Sequence, residues 1–414
     1  RVAEVLVEAT EGPGCRLGGD GALHKLFEQG RSFDARGAMV NMSAGTAHAR
    51  LVNGGRGGLR GPRWTHRSRP HGADHNAIGL ASDSITDAAW AAAMEWQIPE
   101  LDSGVYALKL QGAEGAADRV PLVVLPDRQA SSRDVLVVLP SYTYLAYANQ
   151  RYAPTLFDGR PSTPGYHDRL SHAHPEWGVS CYDRHPDGSG VSKSSWLRPI
   201  PNLRPDYRFW ITGAPERLSA DLYLIDWLDH IDVTHDVITD RELEHWGPGF
   251  LSRYRVVLTG SHPEYATEGM LDALETYVWS GGRIMYLGGN GFYWVTSSGN
   301  DGREIEVRRG LHASRAWTGE PTEHFHDDGQ EGGLWRYRGR SPQSLLGVGS
   351  TAHGNGTPAP GYRRLPDSYD ADVAWVFEGV DVDSFGGYGL MVGGAAGYET
   401  DRHDVEQGSR ADDW

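Results

Sequence analysis

Residues 135–152, VLVVLPSYTYLAYANQRY, carry the strongest constraint in the chain. Val135–Leu139 is an unbroken apolar run with three valines, too short for a typical helix and stopped by Pro140. It is therefore expected to form a fully buried strand. Four tyrosines, Tyr142, Tyr144, Tyr147 and Tyr152, follow within eleven residues. They lie just beyond the strand's carboxyl end, where open α/β sheets place their ligands. Taken alone, the cluster also reads as a packed aromatic corner.

Downstream, strands and helices alternate. A helix is expected over Leu218–Ile231, with Leu222, Ile225 and Leu228 on its apolar face, then a strand-like Asp232–Ile238. A strand over Tyr254–Thr259, a helix over Glu268–Ser280 and a strand over Gly282–Leu287 follow. Such alternation with short connections implies βαβ units, a mainly parallel sheet and hence a doubly wound α/β domain, here assigned to residues 127–414. Between Tyr152 and Glu216 periodicity is weak, but Tyr166, Trp177, Tyr182, Trp196, Tyr207 and Trp210 give the texture of an ordered functional loop. Past Asn300, strand-like fragments are expected at Gly333–Tyr337 and Ala374–Phe377. Upstream, residues 1–72 read as the incomplete edge of a β-rich domain, with apolar alternation at Val2–Val7 and Met39–Met42 and a loop-like NGGRGGLRGPR. Residues 73–126 read as β-sandwich strands. Starting at Arg1 and ending at Trp414, the chain is expected to be a fragment.

The 414 residues suffice for two or three domains. A formal charge of −16 argues against nucleic-acid and anionic-membrane partners. No apolar run approaches the ~20 residues that cross a bilayer. With only Cys15 and Cys181, a disulfide framework and a Cys-rich zinc site are excluded, and the cytoplasm is the expected compartment.

Three further stretches carry chemistry-bearing residues. CYDRHPDGSG (181–190) places Tyr182, Asp183, His185 and Asp187 in a turn-rich loop, which reads equally as a hydrogen-bonded polar loop. GSHPEY (260–265) follows a strand directly, so that His262 and Glu264, two apart, both face one crevice; a helix cap or a solvated acid is the plainer alternative. YLGGNGFYW (286–294) resembles the elbow of hydrolases and glutamine amidotransferases, but Asn290 stands where a Ser or Cys nucleophile would. Covalent Cys-His catalysis thereby loses support, and the glycines do not match a dinucleotide fingerprint. Phenol and carboxylate oxygens from several segments remain, converging on one sheet edge. Such hard donors suit a strongly Lewis-acidic cation, since a phenol with an ordinary pKa near ~10 ionises at neutral pH only beside a strong positive charge.

VLPSYTYLAYANQRY, CYDRHPDGSGV with SSWLRPI, SHPEY and LGGNGFYW, in that order and spacing, resemble the large (β) subunit family of N,N-dimethylformamidase. The resemblance runs from about His75 to Gly397 and implies a carbohydrate-binding-like β region followed by an amidotransferase-like α/β domain. It further implies an amide hydrolase with a mononuclear ferric iron held by two tyrosines and a glutamate. Carried over, Glu264 and Tyr182 are ligands, 82 positions apart. Tyr142, 40 positions before Tyr182, is preferred as the first tyrosine, with Tyr144 as the alternative. His262 and Asn290 take catalytic positions, as proton donor to the departing amine and as hydrogen-bond donor to the carbonyl oxygen. Tyr144, Tyr147, Phe292 and Trp294 are expected to line a small apolar pocket for N-alkyl groups. Tyr147 and Tyr152 are assigned to packing rather than chemistry. The implied substrate is a small N-substituted formamide, and the implied partner a small subunit in a hetero-oligomer. Two other readings stay open: a non-catalytic binding or assembly subunit of the same fold, and a zinc or manganese amidase.

Overall fold

In a computed structural model of the protein, the apolar run Val135–Leu139 is the second strand of a four-stranded, all-parallel sheet. The structure describes residues 81, 83–91, 95–112, 117–129, 133–156, 159–310, 324–353, 361–386 and 399–401, together with the backbone of short strands between 5 and 79. Two units separate, Arg1–Arg340 and Ser341–Trp414.

Labelling the elements of the parallel sheet in chain order, β1 (Val135–Leu139) leads into the short helix α1 (Ser141–Ala146) and, after the long segment to residue 217, into α2 (Leu218–His230). There follow β2 (His235–Thr239), α3 (Asp240–Leu251), β3 (Val256–Thr259), α4 (Glu268–Trp279) and β4 (Arg283–Met285). The strand order is β2-β1-β3-β4. The chain thus leaves β1 toward one edge and leaves β3 toward the other. The direction reverses between β1 and β3, which in open α/β sheets opens a crevice at the carboxyl ends of those two strands. The α/β class and each of the five strands and helices expected between Leu218 and Leu287 are present, within a few residues of their expected bounds.

Burial explains the sheet. Leu136 and Val137 are fully buried and Leu139 nearly so, and Val137, Leu139, Val237 and Leu258 pack with Leu218 and Leu228 of α2. Each buried Val or Leu contributes roughly 1.5–3 kcal/mol against solvent exposure. Helix α3 is not announced by the sequence pattern. Thr239 caps it through a capping box with Glu242, but Gly247 and Pro248 interrupt its apolar period. Gly260, immediately after β3, is sterically required: a Cβ there would run into Pro140 and the Asp221 carboxyl.

Beyond the sheet, an antiparallel trio (Lys193–Ser195, Glu304–Glu306, Ser297–Gly299) and a short parallel pair (Tyr265–Ala266 with Trp294–Val295) extend the carboxyl edge. Upstream, Gly104–Gln111 and Ala117–Val124 form an antiparallel hairpin, and Val5–Ala9, Ala47–Leu51, Met39–Met42 and Gly30–Arg31 a four-stranded antiparallel sheet. The first alternation expected at Val2–Val7 thus appears as Val5–Ala9, with residues 1–4 outside the described residues. In the second unit, Asp401 accepts hydrogen bonds from Gly349 N and Thr351 Oγ1, and Arg364 lies over the rings of Tyr369 and Phe377. The strand expected at Ala374–Phe377 is a single 3-10 turn, and at Gly333–Tyr337 one bridge at Leu334 gives way to the 3-10 turn Trp335–Arg338. Short apolar runs carry too little period to separate these outcomes. Among the described residues, no helix is long and apolar enough to cross a membrane.

Candidate metal centre

Glu264 lies in the loop after β3, at the reversal point of the sheet, and is 3% exposed. A lone buried carboxylate is costly unless hydrogen-bonded, and this one is surrounded by donors. The Tyr147 hydroxyl donates to Oε2 at 3.0 Å, the Tyr182 hydroxyl reaches both oxygens at 3.0 Å, and Trp294 Nε1 donates to Oε1 at 3.0 Å. His262 Nε2 stands 3.3 Å from Oε2. The main chain is held as firmly, with Glu264 N donating to Thr143 Oγ1 and Glu264 O accepting from Tyr293 N and Trp294 N.

Two tyrosines therefore meet Glu264, but the first is Tyr147 and not Tyr142 or Tyr144. The sharp turn at Pro140 starts α1 at once, and on a helix residues five apart diverge by about 140°. Tyr142 points the other way and donates to Glu244 Oε2 at 2.7 Å. Tyr144 donates to Asp221, on the face packed against α2. Tyr147, at the carboxyl end of α1, reaches the crevice instead and stacks on Tyr182 with ring centroids 4.1 Å apart. Tyr152 stays away from the cluster, against His172.

The structure brings together Tyr182, Glu264 and His262 of the expected set. Asn290 lies in a segment stitched to the same loop: Gly289 N donates to Ser261 O and Phe292 N to Pro263 O. A side chain on Gly288 would meet Ser261 O at 2.6 Å, so the close approach needs glycine. Asn290 adopts a left-handed backbone (φ +50°), and its side-chain oxygen is buried with no hydrogen-bond partner among the described residues. In the 181–190 loop, Asp183 accepts from Ser180 N and Oγ, and His185 Nδ1 pairs with Asp83 at 2.6 Å, so both hold loop shape. Cys181 is fully buried, and burial pushes its thiol up to about 11.

Residues that the sequence left unremarked complete the cluster. Arg309, fully buried, donates to the Tyr265 hydroxyl at 2.6 Å, and the Tyr265 hydroxyl lies 2.8 Å from that of Tyr182. Its guanidinium lies 4.3 Å from the Tyr182 ring centroid and 4.4 Å from that of Trp294, while Arg217 lies 4.7 Å from the Tyr147 ring centroid. Tyr265 directly follows Glu264 in the SHPEY motif, a signal available in the sequence. Arg309, in a Gly-rich stretch, carried none. Burial first, then the Glu264 charge, raises the phenols of Tyr147 and Tyr182 above their ordinary value. Both are therefore neutral hydrogen-bond donors.

Among the described residues no group of three or more His, Cys, Asp or Glu side chains is arranged to hold a metal. The Tyr147–Tyr182–Glu264 set is of another kind, all oxygen. Donor oxygens 3.0 Å apart match neighbouring ligands around a small hard cation with bonds of ~2.1 Å. The residues fit such an ion. A Ser-His contact, Ser297 Oγ to His326 Nδ1 at 2.5 Å, does not make a nucleophile: His326 Nε2 accepts from Arg308 N, so the neutral ring carries its proton toward Ser297.

Residues 52–412 match the family described as N,N-dimethylformamidase beta subunit-like, C-terminal. The chain belongs to that family. It is 38% identical over 385 residues to the N,N-dimethylformamidase beta subunit of Alcaligenes sp, and 37% identical over 385 residues to that of Paracoccus aminophilus. In each comparison 90% of this chain is covered, and it spans half the length of the relative. For a member of the dimethylformamidase beta-subunit-like family, the Glu264 cluster is the part of the fold where buried oxygen donors converge.

Proposed function

We propose that this chain is the metal-bearing catalytic part of an amide hydrolase that cleaves a small N-substituted formamide, such as N,N-dimethylformamide, to formate and an amine. The reading includes an amidotransferase-like α/β domain, a cytoplasmic location and assembly with a small subunit. The observation that carries it is the convergence of two phenols on one buried carboxylate at 3.0 Å, in a chain whose relatives are named as dimethylformamidase beta subunits. Tyr147, Tyr182 and Glu264 would hold one ferric ion, a hard and highly charged cation matched to phenol and carboxylate oxygens. When bound, such an ion supplies Lewis acidity toward the amide carbonyl and toward water.

The chain's own residues supply the rest. His262, with its side chain 18% exposed against 4% for Glu264, stands at the more open side of the cluster and delivers a proton to the departing amine. Asn290 aligns the carbonyl oxygen by a hydrogen bond from its amide, a contact typically worth ~3 kcal/mol in the transition state. Buried Trp294 and Phe292 keep water from the carboxylate. Tyr144, expected in the substrate pocket, is left out because its hydroxyl is spent on Asp221.

Elemental analysis of the purified protein, together with its visible absorption and a formate-release assay on dimethylformamide, tests the proposal. About one iron per chain, a tyrosine-to-iron band and formate release are expected. A colourless, metal-free and inactive protein would support the non-catalytic reading instead, and stoichiometric zinc or manganese would replace the iron.

A further inference from the structure

Arg309 enters the Glu264 cluster from the segment that follows the strand Glu304–Glu306, and none of the proposed chemistry uses it. Its Nη2 donates to the Tyr265 hydroxyl at 2.6 Å, and its Nε and Nη2 lie 3.4 and 3.3 Å from the carbonyl oxygen of Cys181, the residue before Tyr182. The Tyr265 hydroxyl lies 2.8 Å from the Tyr182 hydroxyl, which in turn reaches both Glu264 oxygens at 3.0 Å. A guanidinium only donates, and an ionised carboxylate only accepts. With the two ends so constrained, the chain of hydrogen bonds runs one way: Arg309 to Tyr265, Tyr265 to Tyr182, Tyr182 to Glu264.

We infer that Tyr265 and Arg309 are positioning residues that keep a hydrogen-bond donor on the Tyr182 oxygen and so turn its O–H toward Glu264. That orientation is the one a cation shared by Tyr182 and Glu264 requires. The inference rests on the reading of Tyr182 as a metal ligand. Arg309 fixes the other coordinates of the same residue. It lies over the Tyr182 ring and holds the preceding carbonyl, so Tyr182 is located by its backbone, its ring face and its oxygen together. Tyr265 is itself buried, 1% exposed, on the short strand that continues from Glu264. Its hydroxyl therefore bridges Arg309 and Tyr182 without access to bulk solvent.

Tyr265→Phe keeps the ring and removes only this bridge. Wild type, Tyr265→Phe and Arg309→Lys are loaded with iron and dialysed against a competing chelator. Retained iron, the visible absorption and the thermal melt of the metal-free form are then read. The expected result for Tyr265→Phe is an unchanged melt, an iron affinity lower by ~10-fold or more, and a tyrosine-to-iron band at longer wavelength, because the filled oxygen orbital loses a hydrogen bond. Arg309→Lys, which keeps the charge but not the forked geometry, shifts the band in the same direction. An iron-loaded, coloured wild type beside a Tyr265→Phe variant with the same affinity and the same band overturns this inference alone. A wild type that holds no iron overturns the ligand reading and the inference with it.

Discussion

Around Glu306, charge answers charge. Arg308 Nη2 lies 2.5 Å from its Oε1 and 3.3 Å from Asp327, while Lys193 Nζ lies 2.5 Å from Asp327 and 3.9 Å from Glu304. Burial by itself would raise the Glu306 carboxyl, but Arg308 and Lys193 outweigh it and hold it below the ordinary carboxylate range. Around Glu264, a carboxylate that is likewise buried meets two phenols, an indole N–H and an imidazole, and its nearby guanidiniums lie over the aromatic rings. The first cluster is closed, with its cations covalently part of the protein. The second offers exchangeable protons where a cation would go. One protein thus solves the burial of charge in two ways, with fixed cations around Glu306 and neutral donors around Glu264.

The contrast breaks most visibly at Glu264. Glu264→Gln retains shape and donors but not charge, and iron content and formamide hydrolysis should fall by at least ~100-fold; plasma emission analysis and a formate assay measure both. Arg308→Met probes the closed cluster. Leaving Glu306 and Asp327 without that cation should cost about 3–5 kcal/mol in urea unfolding, with the iron content of the folded fraction unchanged. The tyrosines of α1 sharpen the comparison further. Tyr147→Phe should weaken iron retention by ~10-fold or more, whereas Tyr142→Phe should leave it intact and cost ~2 kcal/mol through the bond lost to Glu244. Equal iron loss in the two variants would undo the assignment of Tyr147.

The smallest expected effect is on acid stability. Burial holds the His326 imidazole below its ordinary value, so below pH ~6.5 the unfolded chain binds a proton that the folded one refuses, and stability falls as pH falls. Glu306 is depressed too and acts in the same direction, starting lower, below about pH 4.3. The buried carboxyls of Asp168, Asp183, Asp221, Asp240 and Glu304 are held above their ordinary values by burial and act in the opposite direction, so the readout is a difference: unfolding free energies from urea titrations between pH 8 and pH 4 should show wild type losing on the order of 2 kcal/mol relative to His326→Gln.

Legibility in the sequence followed the length over which each signal repeats. The parallel sheet could be read because Val135–Leu139, Tyr254–Thr259 and the helix Leu218–Ile231 each carry several apolar positions of one period. Glu264 and His262 could be read because two residues on an extended segment beside a strand have few directions available. Spacing to Tyr182 and nearness to the strand end favour Tyr142, with Tyr144 as the alternative, and leave Tyr147 to packing, because nearness along the chain stands in for nearness to the crevice. A helix beginning at Ser141 rotates that logic, and no local residue announces it: Pro140 is its N-cap residue, without a side-chain hydrogen bond. Arg309 was invisible for a different reason. Its partners, Cys181 and Tyr265, lie 128 and 44 positions away, and only the folded chain brings them together.

The stitching of the two carboxyl-edge loops has a mechanical consequence. Gly289, Phe292, Tyr293, Trp294 and Thr296 each donate a main-chain hydrogen bond to the Ser261–Ala266 segment, so the two loops behave as one splint bolted across the mouth of the crevice. Lengthening either loop would drag the Glu264 carboxylate with it. The long segment between Tyr152 and Glu216 meets the splint through Tyr182, whose hydroxyl reaches both Glu264 oxygens, so a change in that segment approaches the carboxylate without pulling on either loop.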